Sequence, residues 1–125
     1  MAPASENEQL VRRFCEAFAR RDVEEILGFF ADDAVYHNIP MAPAVGGDAI
    51  RAVLQLFVPA SSSIEFDVLA LAASGDLVFT ERVDRFVMGD RTVELPVAGV
   101  FEVRDGKIAA WRDYFDMQMF TGASS

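Results

Sequence analysis

Hydrophobic positions change their period once along this chain, near residue 60. Before that point apolar residues recur three or four apart: Leu10, Val11, Phe14, Cys15 and Phe18, then Val23, Ile26, Leu27 and Phe30, then Ile50, Val53, Leu54 and Phe57. This spacing puts one apolar stripe on each of three amphipathic helices. Ser5 with Glu8, and Asp22 with Glu25, stand as capping pairs at the starts of the first two. The second helix is expected to run through Phe29 and the third over Asp48–Phe57. Arg12, Arg13, Arg20 and Arg21 fill a solvated side, and Met1–Ala4 reads as a loose end.

After Ser61-Ser62-Ser63 the period becomes two. Ile64, Phe66 and Val68 alternate with Glu65 and Asp67, the pattern of a strand with one wet face. Turn signals at Ser74-Gly75-Asp76, Met88-Gly89-Asp90-Arg91 and Arg104-Asp105-Gly106 then separate Leu77–Val87, Thr92–Val103 and Lys107–Asp116. Consecutive strands joined by short glycine-containing turns predict an antiparallel meander. One short strand, Ala34–Ile39, comes earlier and stops at Pro40, which cannot donate to a ladder. Met41–Gly47 reads as a loop and Thr121–Ser125 as a polar tail. Helices first and long strands afterwards predict an α+β fold, with helices on one side of a curved antiparallel sheet. Such a sheet closes partly around a pocket, lined by Val93, Leu95, Val97, Phe86, Trp111 and Phe115, with Leu54 offered from the third helix.

Composition narrows the class of function. A length of 125 residues fits one domain over 1–125, and 52% hydrophobic residues, 11 of them Phe, provide a core. A net charge of −9 repels phosphate backbones, so no nucleic-acid partner is expected. No basic stripe or long apolar run suggests a membrane, no basic leader followed by an apolar run is seen, and the default location is the cytoplasm. The one Cys, Cys15, allows no internal disulfide and fits a packed helix position. One Cys and one His argue against a metal cluster.

Strand parity supplies the candidate chemistry. Arg82 and Asp84 project to one face of their strand, and Trp111, Asp113 and Phe115 to one face of theirs. If these faces coincide, an arginine lies between two carboxylates in a pocket walled by aromatics. Either this is a buried ion network that fixes the sheet, or it is a functional set. Two like charges near one another push one pKa up, so an acid and a base can coexist there without a metal. Tyr36 and Asn38 share a face of the early strand. They either hold a water or substrate oxygen, or satisfy nearby backbone. His37, the only histidine, points the other way despite a pKa range suited to proton transfer. Glu81, Arg85, Arg112 and Asp116 are expected to face away from the pocket.

Tyr36-His37-Asn38, Glu81-Arg82-Val83-Asp84 and Trp111-Arg112-Asp113-Tyr114-Phe115-Asp116 together resemble the limonene-1,2-epoxide hydrolase family. The resemblance runs from the first helix to Phe120. The family sits within the nuclear-transport-factor-2-like (SnoaL-like, cystatin-like) superfamily. Its fold implies a strongly curved, mixed but mostly antiparallel sheet with N-terminal helices over it and a cone-shaped pocket. A superfold of this kind hosts many functions, so the motif carries more weight than the fold. The resemblance implies one-step hydrolysis of an apolar epoxide (terpene-like, cyclic or aryl) by water, with no cofactor. Asp113 would be the base, Asp84 the acid, Arg82 the bridge between them, and Tyr36 and Asn38 the holders of the water. It also implies a homodimer packed through the outer face of the sheet. Two rival readings remain at this stage: a ketosteroid-isomerase-like enzyme, and a binding module without catalysis.

Overall fold

Six strands form one mixed sheet in the computed structural model, which describes residues 4–121. The expected loose end Met1–Ala4 and most of the expected tail lie outside the described side chains. The elements run α1 (Ala4–Ala17), a 3-10 turn (Phe18–Arg20), α2 (Val23–Leu27), β1 (Phe30–Asn38), β2 (Ala44–Val45), α3 (Gly47–Phe57), β3 (Ser63–Ser74), β4 (Leu77–Met88), β5 (Arg91–Arg104), β6 (Lys107–Tyr114) and α4 (Met117–Thr121). The sheet order is β2-β1-β6-β5-β4-β3. The meander β3 to β6 is antiparallel throughout, whereas β1 pairs with β6 in parallel. The sheet curls without closing, so β2 and β3 remain its edges.

The helices pack by the stripes read from the sequence. Leu10, Val11, Phe14, Cys15 and Phe18 are all buried. Phe14 is the hub, meeting the rings of Phe18, Phe29, Phe30, Phe101 and Trp111 edge-on at 4.9–5.9 Å, the favoured geometry for aromatic pairs. Asp22 caps α2 as expected, its carboxylate accepting from the N–H groups of Glu24 and Glu25 at 3.0 and 3.2 Å. Glu25 does not complete the box; its carboxylate pairs instead with Arg20 at 2.7 Å. Ser5 lies within α1 rather than ahead of it.

Several boundaries differ from the expected ones. Helix α2 ends at Leu27, and Phe30 opens β1 instead of extending the helical stripe. The cause is pairing: the N–H of Ile108 donates to the carbonyl of Phe29 at 2.9 Å, and Phe30 then lies opposite Ile108. The segment read as a loop contains the two-residue strand β2, paired with Val35 and Tyr36. The last strand stops at Tyr114 because Asp116 starts α4, its carboxylate accepting from the N–H of Gln118 at 2.9 Å. Among the described residues, no helix is long and apolar enough to cross a membrane.

Candidate active site

The β4 register brings the candidate charges together. On its inner face Val78, Thr80, Arg82, Asp84 and Phe86 are all buried. Pairing of β4 with β5 runs unbroken from Leu77 to Met88, so parity holds along the whole strand. Thr80 and Asp113 both lie opposite Gly99, on either side of β5. On the other flank of β6, Asn38 lies beside Asp113 and Tyr36 beside Trp111.

Arg82 uses every donor it has. Its Nε and Nη2 donate to Asp84 Oδ1 and Oδ2 at 3.0 and 2.8 Å. Its Nη1 and Nη2 donate to Asp113 Oδ1 and Oδ2 at 3.2 and 2.8 Å. The remaining N–H of Nη1 donates to the Thr80 hydroxyl at 3.2 Å. A guanidinium has five N–H donors in a fixed fork, and here all are taken. Phe66 lies against the cation, 5.0 Å from ring centroid to Cζ. The Arg82 side chain has no exposed surface. Burial opposes its charge, but Asp113 and Asp84 outweigh that and hold its pKa well above the ordinary value.

The two carboxylates open onto one cavity of about 380 Å³. Its walls are mostly apolar, with Phe57, Phe66, Phe86, Phe115, Phe120 and Val97 prominent, and Tyr36, Asn38, Asp84 and Asp113 are the polar lining residues. Arg82 lies behind the carboxylates and does not line the space. Burial pushes the Asp84 carboxyl up to about 6, against the pull of Arg82. Burial likewise raises the Tyr36 phenol, so it stays protonated; its oxygen accepts from Asn38 Nδ2 at 3.0 Å. Among the described residues, that leaves the phenol O–H and the Asn38 side-chain Oδ1 open to a guest.

Of the residues expected to line the pocket, Phe86, Phe115, Val97 and Leu95 do. Trp111 and Leu54 do not. Leu54 sits on the core side of α3, while Val53, Leu56 and Phe57, one to three positions away on the helix, present themselves to the cavity. Trp111 is sandwiched between Tyr36 at 4.2 Å and Phe101 at 5.7 Å, behind the cavity wall. Val93 is buried but is not a lining residue either. His37 is directed to the Met41 carbonyl at 2.9 Å and does not line the cavity. Arg85 lies in an outer-face ion network with Glu94, Asp67 and Glu65, and Arg112 pairs with Glu102. Glu81 and Asp116 are exposed.

Among the residues at the site not singled out from the sequence are Phe66, which lies against Arg82, and Thr80 and Gly99. Thr80 shares parity with Arg82 and Asp84, so its position was readable. Gly99 carried a signal too: a glycine in the interior of a long strand, away from any turn, marks close approach of another group.

Residues 5–124 match the family of limonene-1,2-epoxide hydrolase catalytic domains. Epoxide hydrolase EphG of Mycobacterium tuberculosis (strain ATCC 25618 / H37Rv) is 35% identical over 113 residues, which is 90% of this chain and 75% of that protein. The solved structure of an M. tuberculosis LEH-like epoxide hydrolase is 34% identical and superposes with a TM-score of 0.84, covering 95% of this chain and 90% of that one. A candidate polyketide cyclase from Xanthomonas campestris pv. campestris superposes with a TM-score of 0.85 at 24% identity, over 95% and 96% of the two chains. At that identity the likeness is one of fold.

Proposed function

The chain belongs to the limonene-1,2-epoxide hydrolase family, and from that premise we propose that it adds water to an apolar epoxide in one acid–base step. The observation that carries this reading is Arg82 clamped between Asp84 and Asp113, with both carboxylates facing an apolar cavity beside Tyr36 and Asn38.

The roles follow from what each group has left to offer. Water has two protons and two lone pairs. One proton goes to Asp113 and the other points to the side-chain amide oxygen of Asn38. One lone pair accepts from the Tyr36 O–H, and the last attacks an epoxide carbon. As the new C–O bond forms, the ring C–O bond breaks, and the released oxygen takes the proton of Asp84. Asp113 ends protonated and Asp84 ionised, and proton exchange through solvent resets the pair. Asp84 suits the acid role because burial lifts its carboxyl to about 6. Each such acid or base contributes roughly 10²–10⁴-fold. Holding the water in line removes part of the orientational cost of attack.

The aromatic and aliphatic walls favour a terpene-like, cyclic or aryl epoxide over a polar one. An isomerase of the ketosteroid type fits less well, because a saturated cation between two carboxylates has no donor to spare for an enolate. We further propose that a second copy of the chain packs on the outer face of the sheet, where Phe79, Pro96, Ala98, Val100 and Tyr114 lie near Glu81 and Arg112 across paired strands; sedimentation of the free protein tests that pairing. Incubation with a panel of epoxides and detection of vicinal diols tests the activity. Binding of epoxides with no diol formed identifies a module without catalysis and overturns this reading.

A further inference from the structure

We propose that Trp111 is a positioning residue that decides which oxygen of Asp113 takes the proton from water. This rests on Asp113 being the base. Each carboxylate oxygen offers two acceptor directions. Oδ1 of Asp113 accepts from the Trp111 indole N–H at 2.6 Å and from Arg82 Nη1 at 3.2 Å, so both of its directions are filled. Among the described residues, Oδ2 accepts only from Arg82 Nη2, at 2.8 Å. The one unfilled direction belongs to Oδ2, and Asp113 borders the cavity. Oδ2 is therefore the oxygen that meets the water, and Oδ1 is the anchored one.

The indole is held for this task. Its ring lies nearly parallel to Tyr36, at 6°, and to Phe101, at 13°, while Phe14 meets it edge-on at 4.9 Å. It is 1% exposed and lines no part of the cavity, so it cannot touch a substrate. Tyr36 thus serves the site twice: its hydroxyl faces the cavity and its ring fixes the angle of the indole N–H. The titratable groups facing Asp113 are Arg82 and Asp84 from β4, Tyr36 from β1 and Cys15 from α1. Burial keeps the Tyr36 phenol and the Cys15 thiol protonated. An uncharged donor on Oδ1 therefore adds to Arg82 without changing the charge of the site.

A plain structural account says only that a buried indole N–H needs an acceptor. The two accounts separate by chemistry at one atom. Trp111 is the only tryptophan of the chain, so biosynthetic replacement of all tryptophan alters this position alone. Benzothienylalanine keeps the ring shape and puts sulfur in place of N–H. The expected result is a lower kcat, by about 10-fold to 100-fold, with KM nearly unchanged and the acidic limb of the kcat/KM profile moved up by about one to two pH units, the weight of one charge-assisted hydrogen bond. Fluorinated tryptophans keep the N–H and make it a stronger donor, and they move that limb to lower pH. The single indole ¹H–¹⁵N signal follows the bond itself, and in Asp113→Asn it shifts upfield as the acceptor weakens. An active enzyme whose kcat and acidic limb ignore both kinds of analogue overturns the role of Trp111 alone. A protein that turns over no epoxide overturns the hydrolase reading and this role with it, whatever the indole signal shows.

Discussion

Gly99 leaves the space that the Arg82 guanidinium fills. A Cβ built on Gly99 would come within 2.5 Å of Arg82 Nη1 and 2.8 Å of both Asp113 Oδ1 and Thr80 Oγ1. Real Cβ contacts do not approach so closely, and the atoms in the way are hydrogen-bonded to one another. The glycine is thus a requirement of the charged group above it rather than of its own backbone.

Gly99→Ala is expected to destabilise the fold by about 1–3 kcal/mol, the usual cost of overpacking a filled interior. Its effect on turnover should be larger than its effect on folding, because the cation has to leave the fork that holds both carboxylates. Urea denaturation alongside diol formation checks this. A folded Gly99→Ala protein with wild-type turnover would show that the clamp tolerates displacement.

Much of this candidate site is legible in the sequence. Arg82 with Asp84, and Tyr36 with Asn38, needed only strand parity, and no register break falls in β4 where Arg82 and Asp84 lie. The register shifts that do occur lie elsewhere, at Val68/Ala70, Phe30/Val35 and Glu102/Val103. What escaped depended on neighbours far away in sequence. Gly99 gains its meaning only from lying opposite Thr80 on one side and Asp113 on the other. Leu54 and Val53 belong to one stripe, and only the placement of α3 against the sheet decides which of them meets the cavity. Trp111 shares parity with Asp113 but is covered by Tyr36 from the parallel strand β1, and parity cannot report what covers a residue. The parallel pairing of β1 with β6 joins residues 75 to 78 positions apart, such as Tyr36 with Trp111 and Phe30 with Ile108, beyond the reach of local pattern.

The acid role proposed for Asp84 predicts a pH dependence with a fixed sign. Burial raises its carboxyl from 3.8 to about 6 in the folded protein. The protonated form is the donor, so kcat/KM should fall tenfold per pH unit above about 6. For stability, the folded state holds a proton that the unfolded state releases between 3.8 and about 6. The favourable contribution is therefore complete below the unfolded value and is lost as pH rises through about 6. Asparagine cannot ionise, so the stability difference between Asp84→Asn and wild type should move in the variant's favour from about pH 4 to about pH 8. Denaturant midpoints across that range check it; a difference independent of pH would contradict the raised carboxyl.

The ion cluster should matter more for chemistry than for stability. Removing the cation alone, in Arg82→Ala, strands two buried carboxylates and is expected to cost about 3–5 kcal/mol. Replacing the cluster by apolar residues of similar size, in Arg82→Met with Asp84→Leu and Asp113→Leu, should recover most of that loss, since such swaps are often neutral or stabilising. The triple variant should form no diol. Thermal unfolding of the two variants checks the pair of expectations; a triple variant as unstable as Arg82→Ala would mean the charges themselves hold the sheet together.

The central claim is that water, and not a carboxylate, attacks the epoxide. In the proposed mechanism Tyr36 offers its phenol O–H and Asn38 its amide oxygen to a water, and Arg82 holds Asp113 by both oxygens. A carboxylate held in that way is oriented to accept a proton, and its approach to carbon is restrained. The direct test is one turnover in ¹⁸O-labelled water with enzyme in excess over epoxide. Direct attack puts the label in the diol during that first turnover and leaves none in Asp84 or Asp113. An unlabelled first diol, followed by label in one of these carboxylates, would mean a covalent ester intermediate and would contradict the account.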